Sequence, residues 1–179
     1  MVYSISICEA KPDNQNYCSI DIGIDNLAAV TANTGCRAYI INGKGLKSVN
    51  KYYNKQVSHY REAAKRMNGM DFTKRMARIT AKRNRKIDDS MQKANHKIAD
   101  FCKDKDIHTI VIGYNKDWKR DSKLSGDVNQ SFAGIPTQRF IGMIQSKAQE
   151  AGIHVIVTEE SYTSGTSFLD ADINASYQI

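Results

Sequence analysis

Acids occur at three separated places in this chain where carboxylates could act together. Asp21 lies inside Ser19-Ile-Asp-Ile-Gly-Ile24, with Ile20, Ile22 and Ile24 around it. A carboxylate within so apolar a run is costly to bury unless it is paired, protonated or bound to metal; the alternative is an Asp on the open face of a sheet. Glu159 and Glu160 follow the apolar run Ile153-His-Val-Ile-Val-Thr158, and Asp170 and Asp172 lie in Leu169-Asp-Ala-Asp-Ile-Asn-Ala175. Acids carried by separate strands and a final helix can converge on hard cations. Mg²⁺ takes carboxylate, phosphate and water oxygens at about 2.0–2.1 Å. Two such ions about 3.5–4 Å apart stabilise the attacking and leaving oxygens when a phosphodiester is hydrolysed. Water would then be the nucleophile, and no Ser, Cys or His need attack. His59, His96, His108 and His154 have no ligand spacing and read as surface or packing residues.

The elements that must position these acids follow from hydrophobic periodicity. Residues 3–8 alternate weakly, as an edge strand would. Residues 18–24 and 27–33 read as strands joined by the turn pair Asp25-Asn26, and 37–41 as a third, giving an antiparallel meander. From Leu46 to about Lys105 the pattern is helical, broken at Asn68-Gly69. In the second arm Ile87, Met91, Ala94, Ile98 and Phe101 form one apolar stripe. Lys74, Arg75, Arg78, Lys82, Arg83, Arg85 and Lys86 instead run round the helix, so this part should project into solvent or onto a partner. Strand 108–112 comes next, then a polar loop from 116 to 133. A helix begins near Ile135-Pro136, with Pro at a tolerated early position, and Gly152 stops it. Strand 153–158, the turn 161–165 and a short last helix complete the chain. The expectation is one domain over residues 1–179 with a helical insertion at about 46–105. The fold class is α/β, with a mixed sheet in ribonuclease H order: three antiparallel and two parallel strands, flanked by helices and a long basic arm.

A chain of 179 residues, 41% hydrophobic, suits one domain with a real core. Its net charge of +7 favours a polyanionic partner. Cys8, Cys18, Cys36 and Cys102 form no Cys-x-x-Cys pair, which argues against zinc, and their scatter suggests reduced thiols rather than a disulfide framework. No apolar stretch approaches the roughly 20 residues of a membrane span, and Lys11 and Asp13 interrupt any signal-peptide core. No membrane role and a cytoplasmic location are therefore expected.

Five segments in one order resemble the transposon-encoded TnpB, or OrfB, family: Ser19-Ile-Asp-Ile-Gly-Ile-Asp-Asn-Leu-Ala28, Ile41-Asn-Gly-Lys-Gly-Leu-Lys-Ser-Val-Asn50, Ile110-Val-Ile-Gly-Tyr-Asn-Lys-Asp-Trp-Lys119, Glu160-Ser-Tyr-Thr-Ser164 and Ala171-Asp-Ile-Asn-Ala-Ser176. The resemblance runs from about Tyr17 to Gln178. It implies a RuvC-like, metal-dependent DNA endonuclease module of ribonuclease H fold, bacterial or phage-encoded, using Mg²⁺ or Mn²⁺. Implied partners are DNA and a guide RNA or RNA–DNA duplex, with a partner chain or self-association also open. The family's first Asp matches Asp21 and its last matches Asp172; Asp25 and Asp170 match less well. Its usual middle Glu would stand where this chain has Gly113. Either the copy is inactive or the carboxylate has moved to Glu160, and the second reading is preferred. Strand alternation turns Glu159 the other way, and Glu150 belongs to the solvated surface. On this reading Asp21, Glu160 and Asp172 are the catalytic metal ligands.

The basic arm from Lys74 to Lys86 would hold a nucleic-acid backbone without reading sequence. Lys116, Trp118, Lys119 and Arg120 would add contacts, with Trp118 stacking on a base or sugar or covering the core. Relative to the family, the chain is expected to lack an N-terminal recognition half and a zinc-binding insert before Ala171. The competing function is a catalytically inactive derivative that binds guide RNA or DNA as a regulator or needs a partner chain.

Overall fold

The computed structural model describes residues 12–23, 26–114 and 134–158. The strands are β1 (Tyr17–Asp21), β2 (Asn26–Ala32), β3 (Tyr39–Asn42), β4 (Thr109–Gly113) and β5 (His154–Thr158). The helices are α1 (Lys44–Asn68), α2 (Lys74–Asp104) and α3 (Thr137–Glu150). The expected edge strand at 3–8, the turn residue Asp25, the loop at 116–133, the turn at 161–165 and the last helix lie outside the described residues.

The five strands form one mixed sheet in the order β3-β2-β1-β4-β5. β1–β2 and β2–β3 are antiparallel, whereas β1–β4 and β4–β5 are parallel. β1 ends at Asp21, sooner than apolar alternation through Ile24 suggests, and β3 begins at Tyr39 rather than Arg37. Gly23 supplies no side chain to extend the first strand. Parallel pairing of β1 with β4 requires a crossover, and α1 and α2 lie between those strands in the chain.

One face of the sheet makes the core. Cys18 and Ile20 on β1, and Ile110 and Ile112 on β4, are essentially fully buried. Against them pack Ile87, Met91, Ile98 and Cys102 from α2 and Phe140 and Ile144 from α3. Each such aliphatic side chain contributes roughly 1.5–3 kcal/mol when fully buried. Two polar ties fix α3 on α2: Asn95 donates to the Met143 carbonyl at 3.0 Å, and Arg139 pairs with Asp88 at 2.9 Å. The thiols of Cys18 and Cys102 lie 3.8 Å apart in the core. Their hydrogen bond, then burial, push the Cys18 thiol far above its ordinary range. Cys18, Cys36 and Cys102 are free thiols, and no described helix is long and apolar enough to cross a membrane.

The arm is a helical hairpin whose two ends are set by local chemistry. Gly69 takes φ +65°, and its N–H donates to Lys65 at 3.1 Å, closing α1; glycine adopts that left-handed conformation without a Cβ penalty. Thr73 caps α2, its hydroxyl accepting from the Met76 N–H at 3.3 Å. Thr73→Ala is expected to cost about 1 kcal/mol, measured as a lowered urea midpoint with an unchanged slope. Along the outer half of α2, Met76 is the one fully buried side chain before Ile87, so the hairpin extends past the sheet. The helical signal between 46 and 105 thus becomes two helices, with the apolar stripe confined to the part of α2 that covers the sheet.

Candidate functional site

Asp21 is the last residue of β1, and the register brings it beside Gly113, the last residue of β4. Gly113 in turn pairs with Thr158, the last residue of β5. The three parallel strands therefore end together at one edge of the sheet. In sheets of this kind the carboxyl ends of parallel strands form the usual site of chemistry. By alternation Asp21 shares the face of Ser19, opposite Ile20 and the helical core. On that face Ser19 and Thr31 are cross-strand partners, their hydroxyls 2.8 Å apart, and only 6% and 2% exposed. Asp21 itself is half-buried.

Neighbouring strands lie about 4.8 Å apart, so one strand with no side chain at its end separates Asp21 from the end of β5. Glu160 follows that end by two residues. A carboxylate at a strand end is an oxygen donor of the kind that hard cations take. Glu160 and Asp172 lie outside the described residues, as do Asp25, Glu159, Asp170, Lys116, Trp118, Lys119 and Arg120. Among the described residues no three His, Cys, Asp or Glu side chains group as a metal site.

Glu150 and three of the four histidines have local partners. Glu150 pairs with Lys147 at 2.8 Å, and that hydrogen bond holds its carboxyl below the usual range. His96 contacts the Gln92 carbonyl, His108 contacts Thr109 and Asp13, and the exposed His59 meets the Tyr60 ring edge. His154 is exposed on β5.

The second candidate surface is the arm. Between Lys44 and Lys86 stand fourteen Lys or Arg residues and two acids, Glu62 and Asp71. The rest of the chain has twelve cations against seventeen acids, so the arm carries the protein's positive charge. Lys74, Arg75, Arg78, Lys82, Arg85 and Lys86 are exposed on α2. Arg75 lies over the Tyr60 ring at 4.3 Å, which fixes its stem without neutralising its charge.

Arg83 differs from these six. Its Nε donates to Asn50 on α1 at 2.7 Å, one terminal nitrogen donates to Asn84 at 2.9 Å, and the other donates to the Gly134 carbonyl. Its guanidinium also lies over Tyr53, and burial lowers its pKa. Charge density in the sequence groups Arg83 with the backbone-binding cations; its contacts make it a clamp joining α1, α2 and the segment leading into α3. Asn50, buried near the start of α1, is a positioning residue that the sequence reading does not single out. A lone Asn on the inner face of an amphipathic helix was the available signal.

The sequence profile of the IS605 OrfB family, described as a probable transposase, matches residues 1–119. No curated protein matches the chain. Among solved structures, the Cas12f1–sgRNA–target DNA complex aligns with a TM-score of 0.70 at 17% identity, over 94% of this chain and 39% of that one. The CRISPR–Cas12f ternary complex aligns with a TM-score of 0.71 at 17% identity, over 99% of this chain and 40% of that one. The chain thus spans about two fifths of the length of either, and shares its fold with that part.

Proposed function

This chain belongs to the IS605 OrfB family of probable transposases, and from that premise we propose that it is a RuvC-like, metal-dependent DNA endonuclease module of ribonuclease H fold. The observation that carries the reading is the register Asp21–Gly113–Thr158, which gathers three strand ends at one edge. Asp21, Glu160 and Asp172 would hold Mg²⁺ or Mn²⁺, which when bound supplies the positive charge that phosphodiester hydrolysis requires. Asp21 contributes a fixed carboxylate from the central strand. Gly113 puts no side chain next to it, and Glu160, two residues beyond β5, would serve in place of a carboxylate on β4. The arm holds the polyanion: its exposed cations neutralise phosphates without contacting bases. One of the Cas12f structures with the same fold is a complex with sgRNA and target DNA, which supports DNA, with a guide RNA or RNA–DNA duplex, as this chain's partners.

A second reading is favoured by Gly113 itself. A strand end without its acid, combined with an intact basic arm, suits a binding protein that competes for nucleic acid without cutting it, alone or with a partner chain. One assay separates the two. End-labelled single-stranded DNA is incubated with the protein in Mg²⁺, in Mn²⁺ and in EDTA. Cleavage in either metal that EDTA stops supports the nuclease; retention without cleavage in any condition supports the second reading. In the same system the double substitution Arg78→Glu and Arg85→Glu is expected to weaken retention at least about tenfold. It should also flatten the slope of log affinity against log salt by roughly 1.4, two phosphate contacts' worth on a single strand.

A further inference from the structure

Two helical stripes face each other across the arm. On α1, Val49, Tyr52, Tyr53 and Gln56 recur at helical spacing; on α2, Ile79, Lys82, Arg83 and Lys86 do the same. Residues so spaced lie on one side of a helix. Between the stripes is an open groove of about 540 Å³. Its floor is fixed, because the Tyr53 hydroxyl meets Thr80 at 3.1 Å and Arg83 lies over the Tyr53 ring. Tyr52, next in the chain, is 67% exposed. Lys82 and Lys86 stand one turn apart, about 6 Å along the axis, and neither forms an ion pair with a described residue.

This combination has a specific chemistry. A free aromatic face, an apolar wall from Val49 and Ile79, and two adjacent cations provide for the two halves of a nucleotide, base and phosphate. A duplex keeps its bases stacked and would use only the lysines. We propose that the groove between α1 and α2 binds an unpaired nucleotide of a single-stranded nucleic acid, the base stacking on Tyr52 and the flanking phosphates meeting Lys82 and Lys86. Gln56 lies where its amide can meet a base edge. The proposal rests on reading the arm as a nucleic-acid surface, and it adds which strand state the arm prefers and which side chain reads it. The excess of cations over acids in the arm argues for this occupant over an apolar peptide.

The full chain is titrated in EDTA against fluorescently labelled single-stranded DNA and RNA, an abasic strand of equal length, and a blunt DNA duplex. The expected result is tighter binding of base-bearing single strands than of the abasic strand or duplex. Tyr52→Ala should remove about tenfold of that affinity and leave abasic binding and the salt slope unchanged, while Tyr52→Phe should bind as wild type. Lys82→Ala with Lys86→Ala should weaken all four ligands. The DNA and RNA arms decide whether one sugar is preferred. The proposal is overturned if Tyr52→Ala has no effect, if it weakens duplex and abasic strands equally, or if sedimentation shows Tyr52 holding two copies of the chain together. Wild-type protein that binds no strand overturns the arm reading and the groove together. Normal binding that is indifferent to Tyr52 overturns the groove alone.

Discussion

Asp21→Asn is expected to abolish metal-dependent cleavage, lowering the rate at least about a thousandfold while the protein keeps its fold and its affinity for nucleic acid. Removing one preorganised electrostatic group from a reacting centre typically costs about 10²–10³ in rate, and for a carboxylate that would hold a metal ion the loss should lie at or beyond the upper end. The amide has nearly the same shape, and Asp21 is half-buried at a strand end outside the α2–α3 core, so thermal unfolding should barely change. Steady-state cleavage of labelled DNA, with binding measured in parallel, separates loss of chemistry from loss of affinity. Gly113 sharpens the test. It is the buried last residue of β4, directly beside Asp21. If the acid has moved to Glu160, Glu160→Ala alone should be as damaging as Asp21→Asn, and adding Gly113→Glu should recover part of the activity. Full activity in Glu160→Ala would remove that residue from the site.

Arg83→Met should destabilise the protein by about 2–4 kcal/mol, more than any other single change to the basic arm. The replacement preserves much of the stem but leaves the Asn50 side-chain oxygen and the Gly134 carbonyl without their charged donor. A charge-assisted hydrogen bond contributes about 1.5–3 kcal/mol, and stranding a buried acceptor costs a similar amount. Gly134 lets the backbone approach the clamp closely: a Cβ there would come within 2.6 Å of the Asn50 amide nitrogen and 2.7 Å of Arg83. Arg85→Met is the control, because that side chain is exposed and should change stability by no more than about 0.5 kcal/mol. Urea unfolding of the two variants decides the matter; equal midpoints would mean that the clamp contributes nothing.

What the sequence discloses here depends on the range of the interaction involved. The helix break at Asn68-Gly69 and the stop at Gly152 are readable because each is decided locally, and both glycines have φ near +65 to +70°. The apolar stripe on α2 is equally local, since periodicity records which side of a helix is buried. Strand ends are less legible: β1 stops at Asp21 although its apolar alternation continues, because pairing with β2 and β4 decides where the ladder ends. The pairing of Asp21 with Gly113 involves residues far apart in the chain, and periodicity carries no information about it; only the resemblance to a known family suggested that the two belong together. Arg83 illustrates the reverse limit. Seven cations in thirteen residues look interchangeable as letters, and only tertiary packing turns one of them inward to Asn50.

The uneven placement of charge has a kinetic consequence. With fourteen cations against two acids between Lys44 and Lys86, the described residues carry their net positive charge on the hairpin rather than evenly. In the field of a polyanion the molecule experiences a torque before it touches anything, so productive collisions are those in which the hairpin leads and the strand ends arrive afterwards. Added salt should therefore slow arrival more than it hastens departure.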